Sequence, residues 1–288
     1  MTEATGMNRA RWRQYQYILG QNPLSVFSMT LFLIFVFIAI TGSWWVPYDP
    51  LASDTANALQ PPNANNFFGT DHLGRDVFSR VVVATRLDFF IALSAVSVSL
   101  VVGTVLGALA GYFGGWYDKI IGRIADTILA FPLFVLAMGI VAVLGNSLIN
   151  VIYATVIINI PFYIRVARAE VSIQRNYQYV QAALLSGNSQ LRTLFFHVLP
   201  NCLPALMVQL SLNMGWAILN AAGLSFIGLG VRPPTAEWGI MVAEGANYII
   251  SGEWWLVLFP GFTLMLAVFC FNLLGDALRD LVDPQKRS

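Results

Sequence analysis

Apolar positions in this chain come in long unbroken runs, not in alternation or narrow stripes. Five stretches carry no Asp, Glu, Lys or Arg: 14–48, 89–117, 127–164, 193–231 and 254–275. A helix that crosses a bilayer needs about 20 mostly apolar residues. The segments 24–46, 90–112 and 254–274 therefore each hold one span. The stretch 127–164 is broken by Gly145-Asn146-Ser147 and Asn150, which predicts two short helices joined by a tight polar turn. The stretch 193–231 is long enough for two spans, or for one with polar shoulders.

Charge placement decides between these, because Lys and Arg near span ends stay on the cytoplasmic side. The N-terminal tail has Arg9, Arg11 and Arg13 against Glu3, and 165–192 has Arg165, Arg168, Arg175 and Arg192 against Glu170. Both read as cytoplasmic. The segment 232–253 has Arg232 against Glu237, Glu244 and Glu253 and reads as external. One span in 193–231 keeps these last two on opposite sides. The expectation is an all-α integral membrane protein of six transmembrane helices with both termini in the cytoplasm. The apolar run after the basic tail is too long for a signal peptide and ends in Ser43-Trp44-Trp45-Val46, not in a cleavage site of small residues. Trp44, Trp45, Tyr48, Trp254 and Trp255 are expected at the outer interface.

Composition agrees. Of 288 residues 57% are hydrophobic and 11% charged, against about 25% charged in a soluble domain. Cys202 and Cys270 lie in apolar stretches and read as buried thiols. Neither lysine, Lys119 or Lys286, completes a phosphate-binding loop. His72 and His197 are too far apart for a local zinc motif. No metal site is assigned. Dense chains of intramembrane acids, as in proton-coupled carriers, are absent. Asp126 is the nearest candidate, and Arg123 one turn before it predicts a local ion pair. Such a chain reads as a subunit of something larger, with a lone secondary carrier as the rival.

Three blocks interrupt the apolar background. The first, Phe68 to Arg80, contains Gly69, Thr70, Asp71, Gly74, Arg75, Asp76 and Arg80. Its glycines suit tight turns and its four charges can pair with one another. It reads as a self-satisfied external loop, or as a contact for a docking partner. The second runs from Asn176 to Asn201. Tyr179, Val180, Gln181, Ala182 and Ala183 open a short helix through Leu185, Ser186 and Gly187 follow, and Pro200 is expected to start the next helix. The small Ala182, Ala183 and Gly187 admit another protein's backbone, or let the loop pack on its own bundle. The third, Leu224 to Gly239, includes Pro233, Pro234, Trp238 and Gly239, and its glycines suggest close helix packing. The C-terminus adds Asn272, Gly275, Asp276, Arg279 and Asp280.

With these motifs the chain resembles the C-type inner-membrane permeases of bacterial dipeptide, oligopeptide and nickel ABC transporters. The patterns GTDxLGRDxxSR at 69–80, LSFxGLGxxPPxxxWG at 224–239 and NLLGDxLRDxxDP at 272–284 carry the resemblance, which spans Trp45 to Pro284. It implies a type I importer permease fold. The chain then divides into a cytoplasmic tail (1–23), a first span (24–46), a periplasmic segment (47–88), a five-helix core (89–276) with a coupling loop (165–198), and a C-terminal tail (277–288). In the resembled family, Glu-Ala-Ala is followed by three residues, Gly, nine residues, Ile, one residue and Leu-Pro, where the permease docks on its ATPase. Here Gln181-Ala182-Ala183, Gly187 and His197-Val198-Leu199-Pro200 keep the spacing. Gln181 replaces Glu and Leu184 stands where Arg is frequent, so no particular salt bridge is expected there. His197, with no second ligand nearby, reads as a structural residue at the loop–helix junction. The implied partners are a B-type permease, two ATPase subunits holding ATP and Mg, a periplasmic or lipid-anchored solute-binding protein and the bilayer, with no nucleic acid. No cofactor is expected on this chain, and no catalytic residue. Peptide cargo is favoured over nickel or a metal chelate, because nothing in the sequence coordinates metal.

Overall fold

The computed structural model describes residues 23–282, with side chains through Arg279. Arg9, Arg11, Arg13 and Glu3 lie outside the described residues, as does the side chain of Asp280. Nine helices are described: α1 Pro23–Trp45, α2 Val77–Phe113, α3 Gly115–Leu129, α4 Leu133–Leu144, α5 Leu148–Gln174, α6 Gln178–Leu185, α7 Gln190–Phe226, α8 Trp238–Ala246 and α9 Trp255–Val282. Five of them, α1, α2, α5, α7 and α9, are long and apolar enough to cross a membrane. The pair α3 and α4, bent by 88° at its break, passes the same test of length and composition when taken together, which is consistent with six crossings. Phe131-Pro132 lies at the bend, where the proline disfavours helical backbone for the residue before it. The polar turn at 145–147 joins α4 to α5 as expected, with the Ser147 side chain capping α5.

The bundle has two ends. One, the capped end, carries 46–76 and 227–254; the other carries 114–132 and 175–189. The second crossing begins earlier than its uncharged stretch suggests. Asp76 accepts from Ser79 N at 2.8 Å and opens α2 at Val77, so 77–88 is helix within the segment expected to be external loop.

Close packing in the core runs through Gly103, Gly107 and Gly111 on α2, spaced by four. A Cβ on Gly107 would stand 2.5 Å from the Ile164 carbonyl and 2.9 Å from Ala167 Cβ. Small residues at this spacing let two backbones approach in a bilayer. Gly228 of the third block does something else. α7 ends at Phe226, and Gly228, at φ +78°, bonds Ser225 O while Leu229 N bonds Leu224 O. This is a helix-stop motif, not a packing stripe.

α7 itself does not start at Pro200. It is continuous from Gln190 through a π turn at Leu194–Val198, where Leu199 N reaches back to Leu194 O. The widened turn carries the chain past a residue with no N–H to donate. Two other expectations change. Asp126 pairs with Arg165 on α5 at 3.0 Å rather than with Arg123. Trp255 is 6% exposed and donates to Thr70 O, so it belongs to the core. Trp44, Trp45, Tyr48 and Trp254 are exposed.

Candidate functional site

The segment expected to dock a partner forms a small knob. α6 is only eight residues long, too short to be stable alone. Val180, 2% exposed, pins it into the main core. Gln181, Ala182, Ser186 and Gly187 face outward and Ala183 is half-buried. Leu185, 89% exposed, is among the barest apolar side chains of the described residues. The knob is held in shape from both sides. Tyr179 Oη donates to Gln174 Oε1 at 2.7 Å, and Asn201 reaches the Tyr179 hydroxyl. Gly187, at φ +85°, bonds Leu184 O, while Asn188 N bonds Ala183 O. A left-handed residue stops the helix here as well. Nothing lies within 4 Å of where a Gly187 Cβ would stand, so the demand is conformational rather than steric. The π turn beside the knob leaves Phe196 74% exposed. His197 uses its backbone carbonyl, which accepts from Asn201 at 2.7 Å.

At the capped end the first block closes on itself and on α8. Arg75 Nε meets Asp71 Oδ2 at 2.6 Å and its Nη2 meets Glu244 Oε2 at 3.2 Å. Arg80 lies 3.6 Å from the same Asp71 oxygen and 3.7 Å from Glu244. Both arginines are almost fully buried. Burying such charges is tolerable only when they are paired, and two carboxylates facing two guanidiniums balance. Asp76 is not part of this pairing. It caps α2 and accepts from Asn66 at 2.9 Å. The fourth partner, Glu244 on α8, was hidden in the sequence by its distance from the block. A Cβ at Gly74 would collide with the Asp54 backbone, and one at Gly69 would stand 2.5 Å from Gln60 O. Thr70 Oγ1 donates to Asn57 O at 2.6 Å. The block is thus tied inward at every charged position.

Asp71, His72 and Glu244 place ligand atoms within 4.8 Å of one another. The two carboxylates already hold guanidiniums, and a cation there would add positive charge beside Arg75 and Arg80. The residues do not suit a metal.

Behind this clamp, the third block packs on α2. Trp238 is fully buried and donates through Nε1 to Val81 O at 3.1 Å and through its backbone N to Asp88 Oδ2 at 3.2 Å. Glu237 caps α8, accepting from Gly239 N and Ile240 N at 2.9 and 2.8 Å. Its carboxyl also contacts that of Asp88, and no described basic side chain pairs with either. Burial pushes Glu237 above the usual carboxyl range against its two amides. A Gly239 Cβ would collide with Ala222 on α7. Arg80 Nη1 reaches Pro234 O at 3.4 Å, and Pro233 is exposed beside it. The C-terminal motif lies along α9. Gly275 packs on α7, where a Cβ would stand 3.2 Å from Leu212, whereas Asn272, Asp276 and Arg279 are exposed. The four motifs form no single site. The structure puts the first and third together at the capped end, the second at the other end and the fourth along α9.

Comparison with known proteins gives this arrangement its place. The family described as "Binding-protein-dependent transport system inner membrane component" matches residues 103–288. The "N-terminal TM domain of oligopeptide transport permease C" matches residues 11–62. A probable D,D-dipeptide transport system permease protein of Escherichia coli is 45% identical over 269 residues, 93% of this chain and 90% of that protein. A dipeptide transport system permease protein of Alkalihalophilus pseudofirmus is 42% identical, covering 96% and 91%. A nickel transport system permease protein of Escherichia coli is 40% identical, covering 89% and 92%. By these matches the chain belongs to the binding-protein-dependent transport system inner membrane component family, on its C-type permease branch.

Proposed function

We propose that this chain is the C-type permease subunit of an ATP-driven peptide importer, forming half of the path across the bacterial inner membrane with both termini cytoplasmic. A B-type permease supplies the other half. Two ATPase subunits holding ATP and Mg dock below, and a periplasmic or lipid-anchored solute-binding protein delivers the cargo above. The chain itself performs no chemistry.

The observation that carries this reading is the α6 knob. An eight-residue helix, stopped by Gly187 and presenting Leu185 bare, suits insertion into a cleft on another protein. It sits on the helical run that begins at Gln190 and continues through α7. A push on the knob is delivered to a crossing helix as a rigid-body movement, one known class of switching transition. Peptide is favoured over nickel because, in the one cluster of ligand atoms among the described residues, at Asp71, His72 and Glu244, both carboxylates are committed to arginines.

Reconstitution with the co-expressed partner subunits tests the reading. ATP-dependent uptake of a labelled dipeptide into vesicles is expected, with no ATP hydrolysis by this chain alone. Nickel uptake without dipeptide uptake favours the metal reading. Uptake driven by an ion gradient without the ATPases defeats both.

A further inference from the structure

A slot of about 1080 Å3 lies between α1, α2, α7 and α9. That is at the upper end for small-molecule sites. Its walls are apolar, with Phe32 and Ile40 from α1, Leu93 from α2, Met214 from α7 and Phe271 from α9. Ile40 and Leu93 are 61% and 56% exposed, so the described chain leaves this face open. One charged side chain lines it. Arg86 stands at the mouth with Trp44 and Thr235, and makes no hydrogen bond or ion pair with any described residue. Arg75 and Arg80 on the same side of the molecule are both paired.

The dimensions are those of one leaflet. From Phe32 to Trp44 the slot follows α1 for roughly 18 Å at 1.5 Å per residue, and half of a bilayer's hydrocarbon is about 15 Å. The walls ask for hydrocarbon and the mouth asks for an anion. A guanidinium binds phosphate oxygens in a planar, two-pronged geometry. We propose that this slot is a binding site for an acidic phospholipid of the leaflet on the capped side. An acyl chain lies along α1 and the phosphodiester rests on Arg86. An acidic lipid suits the mouth better than a zwitterionic one, whose own ammonium group would stand near an arginine that has no carboxylate beside it. A helix from another subunit is the competing occupant, and it needs an acid at the level of Arg86.

The test uses the full chain purified with its co-expressed partners and placed in nanodiscs of phosphatidylcholine with a minor fraction of phosphatidylglycerol. Native mass spectrometry counts the lipid retained, and bromine-labelled acyl chains report proximity by quenching Trp44. One phosphatidylglycerol per chain is expected, with quenching lost in Trp44→Phe. Arg86→Ala orphans no partner, so it should fold and weaken retention about tenfold, the loss of one charge-assisted contact. Ala39→Phe, which narrows the slot with Arg86 intact, should displace the acyl chain and its quenching. Retention unchanged by both substitutions overturns the proposal. So does efficient cross-linking of cysteines at Ile40 and Leu93 to another subunit in lipid-free complexes.

Discussion

Trp238 donates its indole N–H to the carbonyl oxygen of Val81 at 3.1 Å, a bond that spans 157 residues of sequence. It joins the start of α8 to the first turns of α2, with both residues buried. The loop motifs at the capped end are therefore one construction, and its parts fail together.

The ion-pair clamp should fail first. Arg75→Ala leaves Asp71 and Glu244 facing Arg80 alone. Breaking a buried pair by removing one partner costs about 3–5 kcal/mol. Loss of most folded protein from the membrane, read by fluorescence-detected size exclusion, is expected. Normal assembly with only binding-protein docking impaired would identify the block as a contact surface instead.

The glycine stripe of α2 gives a paired comparison. Gly107→Val drives a side chain into the backbone of α5 and should destabilise by about 1–3 kcal/mol or more, as overpacked cores do. Gly122→Ala, where nothing lies within 4 Å, should be neutral. Equal thermal midpoints for the two variants would rule out the close approach of α2 and α5.

Much of this was legible in the sequence, and the misses have a common cause. Runs of uncharged residues mark spans because hydrocarbon excludes charge, and the spacing from Gln181 to Pro200 marks the knob because a short helix and its stop are local. Glu244, 169 residues from Arg75, and the Asp88–Glu237 contact are products of tertiary folding, which no local pattern announces. Gly228 was misassigned to packing because a helix-stop glycine and a packing glycine look alike until the helix end is known. Trp255 was misassigned because an aromatic near a span end suits either an interface or a core.

The burial of Glu237 makes stability depend on pH. Glu237 is raised from its ordinary value of 4.5 by burial, so the folded chain binds its proton more tightly than the unfolded one. Stability is then greatest below pH 4.5 and declines as pH rises through the folded value. Glu237→Gln removes the titrating carboxyl and should flatten the decline. Thermal midpoints measured across pH for both proteins check this, and an unchanged slope would show that Glu237 does not carry it.

Gly187 separates insertion from coupling. A non-glycine residue held at φ +85° costs about 1–2 kcal/mol, too little to unfold the bundle. Gly187→Val should insert and assemble but lose stimulation of ATP hydrolysis by the loaded binding protein. Gly187→Asn, tolerated in left-handed backbone, should retain most of it. Full stimulation in Gly187→Val vesicles would remove the knob from the coupling.

The proposed orientation rests on the arginine count. A reporter active only in the periplasm should be active when fused after Gly252 and silent after Arg175. The reverse pattern would invert the whole molecule.

The run from Gln190 to Phe226, unbroken through its π turn, is also a lever. At 1.5 Å per residue its 37 residues reach about 55 Å. A tilt of about 5° at the knob sweeps its far tip through about 5 Å, roughly the pitch of one helical turn. That tip ends in the turn where Asn146 holds Gly228 O at 2.6 Å, a link between α7 and the α4–α5 corner. A stroke at one face of the membrane that tilted this run as one body would therefore displace its other end far enough to part that link.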